Sequence, residues 1–382
     1  MQALAAPLAR IRATMGQGFI GEEVRTHMKL ILIDGSSLLT TSFFGNVPRD
    51  YYQLRSQEER EAYLRKKALR TEAGIYTNAV YPMTRILLNL IERQKPTHLA
   101  VAWDVSRNTF RRELYPDYKG HREDALPILG EQYGTMQALL ETMNIPQFWF
   151  EDYEADDILG TLARKFEQDM PVYVFTKDQD ALQLISEGTR VWLLTSKADA
   201  LYQNRGLSVK QLSVPDGTFE YTTVTFEEEY GLEPWQMIDK KALEGDSSDN
   251  IPGVKGVGEK ASVPLLREFG TIDNLYEYIE DLYPAHESDL KQMFKALGIA
   301  RSPLSYLLKE SETELVGKRA AFLSKTLATI RTDLQELEHV DAARLELNID
   351  YAQTREKFVE LEFNSLLKKL PVAEPTGDDV AV

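Results

Sequence analysis

The sequence predicts an α/β protein: a mostly parallel central sheet with helices on both faces, plus a small all-helical domain. Three observations lead there. Four short apolar, β-rich runs each stop at or just before an acid: Leu30–Ile33 before Asp34, Leu99–Trp103 before Asp104, Gln147–Phe150 before Glu151, and Val172–Phe175 before Asp178. Stretches with apolar residues at helical spacing separate these runs, the alternation that a parallel layered sheet requires. From about Trp235 the pattern turns helical throughout. Sites in such sheets form beyond the carboxyl ends of the strands, which is where these acids stand.

Taken in order, residues 1–27 precede the first strand and read as neither a clean signal peptide nor a helix. Gly21-Glu-Glu-Val24 can be encoded by codons containing a ribosome-binding sequence, so translation from Met28 is expected. Residues 28–234 carry the sheet. Within them Arg55–Arg70 is a charged, helix-favouring insertion and Ala79–Ile91 is amphipathic. Arg107–Arg122 is basic and irregular, and Ile128–Met143 repeats Leu129, Tyr133, Met136, Leu140 and Met143 at helical spacing. Residues 198–218 look like a loop or hairpin insertion. Residues 235–340 form the helical domain, 341–370 are expected to pack back on the first domain, and 371–382 read as a disordered acidic tail.

At 382 residues and 43% hydrophobic content, the chain can build a core for each domain. Having no cysteine excludes disulfides, thiolate metal sites and thiol catalysis, and fits a reducing cytosol, the expected location. Five histidines leave any metal site to oxygen ligands. No apolar run approaches the roughly 18 to 20 residues that span a bilayer. The net charge of −16 opposes a nucleic-acid partner only if it is spread evenly. Acids gathered around divalent cations are neutralised by them.

The acids are gathered. Glu154-Ala-Asp-Asp157 opens a helix, where capping alone would explain it; Asp178-Gln-Asp180 follows a strand, and Gly245-Asp-Ser-Ser-Asp249 adds two more. With Asp34 and Asp104, nine carboxylates are expected to converge on one cleft, an arrangement that costs several kcal/mol per unpaired ion unless cations sit among them. Mg²⁺ suits such oxygen ligands, and two ions about 4 Å apart would predict phosphodiester hydrolysis. The segment Asn108–Arg122 interleaves cations with aromatics. It is either a solvated loop or a phosphate clamp with Lys119 and Arg122 near the cleft, Arg111 as a DNA contact, and Tyr115 or Tyr118 stacking on an unpaired base. Gly253-Val-Lys-Gly-Val-Gly-Glu-Lys-Ala261 lies between helical segments without a surrounding βαβ unit, which disfavours dinucleotide binding. It is a structural turn or a phosphate-binding hairpin, with Gly253, Gly256 and Gly258 giving close backbone approach and Lys255 and Lys260 giving charge.

These motifs, in order, resemble the 5′ nuclease domain of bacterial DNA polymerase I and its stand-alone relatives, the flap-endonuclease family. The match runs from about Met28 to Leu370 and includes LIDG at Ile33-Asp34, AWD at Asp104, FRRELYPDYKGHR, YEADD, TKDQD, YGLEPWQ and GDSSDNIPGVKGVGEKA. The resemblance implies that Asp34, Asp104, Glu154, Asp156 and Asp157 hold one Mg²⁺ and Asp178, Asp180, Asp246 and Asp249 a second, with Mn²⁺ able to substitute. It also implies that Lys119 and Arg122 belong to an arch over the 5′ single strand, and that Gly253–Ala261 is a helix-hairpin-helix holding duplex phosphates through K⁺. The implied function is a monomeric enzyme that removes 5′ ends, flaps and RNA primers from DNA. Two departures stand out: Thr40-Thr41 replaces an aromatic-arginine pair frequent in relatives, and Pro264 in the second hairpin helix is expected to kink it. The insertions at 50–73 and 198–218 have no family counterpart. A DNA-junction binding protein with little turnover and an RNA nuclease on a related PIN-type sheet remain as alternatives.

Overall fold

The computed structural model describes residues 28–122, 124–209 and 212–371; the expectations for residues 1–27 and 372–382 lie outside the described residues. Leu30–Asp34 (β1) is buried along its whole length. Leu30 and Leu32 enter one apolar core while Ile31 and Ile33 enter the other. A strand covered on both faces reads as a continuous apolar run for this reason. Gly35–Phe44 (α1) follows at once. A Cβ on Gly35 would sit 2.6 Å from the Val101 side chain and 2.8 Å from the Trp103 ring, so only glycine lets α1 start this close to the sheet.

The chain continues through Gln57–Lys67 (α2), Val80–Gln94 (α3), His98–Ala102 (β2), Phe110–Leu114 (α4), Pro127–Thr142 (α5), Gln147–Phe148 (β3), Ala155–Phe166 (α6) and Val172–Thr176 (β4). Thr189–Leu194 (β5), Ala198–Asn204 (α7), Thr218–Tyr221 (β6) and Thr223–Tyr230 (α8) complete the sheet region. The strand order is β3-β2-β1-β4-β5-β6, parallel except for β6, which runs antiparallel to β5. Connectivity therefore reverses between β1 and β4, and a crevice opens beyond their carboxyl ends. Two strands exceed the four expected, and residues 198–218 hold α7 and lead into an edge strand rather than forming a hairpin.

Gln236–Glu244 (α9), Glu259–Phe269 (α10), Ile272–Leu282 (α11), Glu287–Ala296 (α12) and Gly317–Ala328 (α13) make up the helical region, and Tyr351–Glu360 (α14) follows it. The helix α10 runs unbroken through Pro264. The expected second core is not separate: Leu265, Leu275 and Ile279 join Leu30, Val174 and Leu182 in one apolar cluster. From α14 onward, Phe358, Leu361, Phe363, Leu366 and Leu370 pack into the opposite core with Ile31, Ile33 and Leu99. Among the described residues no helix is long and apolar enough to cross a membrane.

Candidate metal centre and nucleic-acid interface

The crevice beyond β1 and β4 is a cleft of about 690 Å³ lined by Asp34, Asp104, Glu154, Asp156 and Asp178 on its floor. Asp34 caps α1, its Oδ1 accepting the Ser37 N–H at 2.9 Å, and its Oδ2 accepts the Thr176 hydroxyl at 2.7 Å. Asp104 Oδ1 accepts the Ala155 N–H at 2.8 Å, which ties the end of β2 to the first turn of α6. Asp178 accepts the Asp180 N–H at 2.9 Å and caps the turn after β4. Strand ends and helix starts thus aim these carboxylates at one point.

Their electrostatics show the strain of that convergence. Burial, then the charge of Asp104, raises Asp34 from 3.8 to about 7. Loss of solvent, and then Glu154, raises Asp104; burial followed by Asp178, Asp34 and Asp104 raises Asp156 well above the carboxylate range. Asp156 Oδ1 is buried with no hydrogen-bond partner, a costly state for an acceptor in low dielectric. Among the described residues no three carboxylates or histidines are already drawn into a ligand set for a metal ion. The donor chemistry nonetheless fits a divalent cation: hard oxygens, surplus negative charge and an unsatisfied oxygen facing like charges.

A second group of acids lies toward α9 and already holds side-chain cations. Lys241 Nζ bridges Asp180 and Asp246, 2.6 Å from Asp246 Oδ2. Against the penalty of burial, hydrogen bonds from Lys241 and Ser248 pull Asp246 down to about 2. Burial and Asp178 still leave Asp180 raised to about 6. Arg122 pairs with Asp249, whose other oxygen is 3.7 Å from Lys119 Nζ. Lys119 itself adopts the left-handed backbone conformation (φ 53), its N–H bonded to Asp249 O at 2.9 Å. That conformation costs on the order of 1–3 kcal/mol in a non-glycine residue, and it sets the ammonium 2.8 Å from Glu154 Oε1 at the cleft's rim.

Four expected roles are corrected, three of them in this part of the site. Arg111 is 2% exposed and cannot meet DNA. Its guanidinium grips both oxygens of Asp157 at 2.7 Å and donates to Leu327 O and Thr329 O, joining α4, α6 and the end of α13. Asp157 is fully buried on that arginine and also accepts the Arg331 N–H at 2.8 Å, so it is a structural anchor and not a metal ligand. Tyr118 is 4% exposed, its hydroxyl 3.1 Å from Glu154 and 3.3 Å from Asp249; it braces the acids and offers no stacking face.

In the hairpin before α10, buried Val254 and Val257 anchor the loop while Lys255, Gly256, Gly258 and Lys260 are exposed. Gly253 differs. It is buried, its N–H donates to Ser324 Oγ at 2.9 Å, and a Cβ there would sit 2.2 Å from the Gly245 backbone nitrogen, so its φ of +61 serves the fold and not a phosphate. Thr40 and Thr41 line the cleft, with Thr40 Oγ1 3.3 Å from the Tyr133 hydroxyl.

Sequence reading missed Lys241, Thr176 and the cleft wall made by Phe44, Tyr51 and Arg60. Lys241 lies in an amphipathic helix where a lysine passes for solvated charge; its place five residues before Asp246, at the helix end, was the available signal.

Residues 29–211 match the family model described as 5′-3′ exonuclease, N-terminal resolvase-like domain, and residues 232–350 match 5′-3′ exonuclease, C-terminal SAM fold. A 5′-3′ exonuclease of Halalkalibacterium halodurans is 35% identical over 81% of this chain and 85% of its own length. DNA polymerase I of Bacillus subtilis is 36% identical over 90% of this chain but 32% of its own length, so the chain spans about a third of that relative. Among solved structures, T5 5′-exonuclease with bound zinc shares the fold: its TM-score is 0.51 at 19% identity, over 87% of this chain and 99% of that one.

Proposed function

The chain belongs to the 5′-3′ exonuclease family, and from that premise we propose that it hydrolyses DNA phosphodiesters at 5′ ends and 5′ flaps, RNA primers included, with two divalent ions. The observation that supports this most is the unpartnered Asp156 Oδ1 among Asp34, Asp104 and Asp178 at the strand-order reversal. Asp34, Asp104, Glu154 and Asp156 would hold one Mg²⁺, with Mn²⁺ as substitute; Asp178, Asp180, Asp246 and Asp249 would hold the other. When bound, such ions lower the pKa of a coordinated water and stabilise charge on the phosphate. The chain's own residues do the rest. Lys119 and Arg122 stand at the rim, where exchanging Glu154 and Asp249 for a phosphate would place cations beside the reacting group. The exposed hairpin with Lys255 and Lys260 meets the duplex backbone, K⁺ assisting, without reading sequence.

A junction-binding protein with little turnover would have no use for uncompensated acids at the cleft floor. The test is a 5′-labelled flap and a blunt duplex incubated with Mg²⁺ or EDTA, using the wild type and Asp178→Ala. Cutting in Mg²⁺ alone, lost in the variant, is expected; a wild type that cuts neither substrate overturns the reading.

A further inference from the structure

The last residue of β4, Thr176, is completely buried. A hydroxyl has one proton to give and lone pairs that accept, and Thr176 uses both. Its Oγ1 accepts the Asp178 N–H at 2.9 Å, and its proton goes to Asp34 Oδ2 at 2.7 Å. The direction is fixed from both ends: an amide only donates, and a carboxylate ligating a cation only accepts. One hydroxyl thus joins the acid that ends β1 to the turn after β4, where Asp178 Oδ1 takes up the Asp180 N–H at 2.9 Å.

For Asp34 the consequence is a fixed carboxylate plane. The Ser37 N–H holds Oδ1 at 2.9 Å while Thr176 holds Oδ2. Each carboxylate oxygen accepts at about two positions, so each keeps one for an ion. Asp156 Oδ1, by contrast, has no partner to orient it. Branching at Cβ leaves the threonine few side-chain rotamers, and complete burial keeps out water that could take over the hydroxyl's two bonds.

We infer that Thr176 is a positioning residue for metal binding: oriented by the Asp178 N–H, its hydroxyl presents Asp34 to the first divalent ion and ties that acid to the turn bearing Asp178 and Asp180. The inference rests on the two-ion reading above, and metal binding without DNA separates the two. Calorimetric titration with Mn²⁺ compares wild type, Thr176→Val and Thr176→Ser, and the thermal midpoint in EDTA reports the fold. Thr176→Val keeps the shape and removes the hydroxyl; it is expected to weaken the strong Mn²⁺ site about tenfold to a hundredfold, the scale for losing a partner of a metal ligand. Thr176→Ser keeps the hydroxyl and is expected to bind like the wild type. The half-saturating Mg²⁺ for flap cleavage should rise in parallel in Thr176→Val, with flap binding in EDTA unchanged. If that variant does not unfold cooperatively, Thr176→Ala, which sets no methyl against Asp34, carries the same expectation. Wild-type Mn²⁺ affinity in the variant lacking the hydroxyl, whatever its thermal midpoint, overturns the inference. So does a Thr176→Ser protein as weak as Thr176→Val, or a wild type that binds no Mn²⁺. A wild type whose Mn²⁺ binding depends on Thr176 but which cuts neither DNA sinks the nuclease and leaves the inference standing.

Discussion

The two ends of the carboxylate cleft meet the same repulsion in different ways. At the β1–β4 end none of the ion pairs among the described residues reaches Asp34, Asp104 or Asp156, and an Asp156 oxygen lacks a partner; of the acids assigned to that ion, Glu154 is the one held by cations, Lys119 at 2.8 Å and Arg111 at 3.4 Å. Burial and mutual repulsion raise the pKa of all three, Asp34 to about 7, so their negative charge is held without a cation of its own. At the α9 end Lys241 and Arg122 neutralise Asp180, Asp246 and Asp249. A divalent ion at the first end would meet Asp34, Asp104 and Asp156 free of side-chain cations, whereas at the second it would have to displace an ammonium or guanidinium. The first position is therefore expected to bind metal more tightly, and the second to depend on substrate drawing Lys241 and Arg122 away.

Several substitutions would break or sharpen this contrast. Asp156→Asn is predicted to lower cleavage by about 10²- to 10³-fold, the scale for losing one charge-stabilising group, while raising the thermal midpoint of the metal-free protein because repulsion is relieved. Asp246→Asn should lower both activity and stability, since it removes one of the two carboxylates that Lys241 bridges; matching stability changes in the two variants would erase the contrast. Arg111→Met should destabilise by about 3–5 kcal/mol in urea unfolding, because Asp157 is left as a buried, unpaired charge.

The pH dependence follows from the raised carboxyls. Between pH 4 and 7 the native Asp34 keeps a proton that the unfolded chain has released. That stabilisation is present at low pH and is lost as pH rises through about 7, on the order of 4 kcal/mol at most. Asp246, held at about 2, acts in the opposite sense only below pH 4. The metal-free melting temperature should therefore fall between pH 5 and 8, with added Mg²⁺ restoring it at pH 8. Lys255→Ala should be the mildest change, weakening duplex binding and reducing its salt slope by about 1, with turnover of bound substrate unchanged.

The acids and the sheet were legible because parallel strands buried on both faces read as apolar runs, and a site at their ends puts acids where the runs stop. Thr189–Leu194 and Thr218–Tyr221 escaped notice because neither ends in such an acid and the second is a short antiparallel edge. Consecutive cations hid the opposite fates of Arg111 and Arg112: a five-residue helix is too short for periodicity to say which one turns inward to Asp157 and which lines the cleft. Asp156 and Asp157 posed the same difficulty. Adjacent helical positions point about 100° apart, so one faces the cleft and the other the core.

Calorimetric titration of the DNA-free protein with Mn²⁺ tests the central contrast most directly, using wild type, Asp156→Asn and Lys241→Gln. One strong site in the wild type, abolished by Asp156→Asn, with a second site strengthened by Lys241→Gln, is the predicted result. A strong site that survives Asp156→Asn, or two equal sites indifferent to Lys241→Gln, would contradict it.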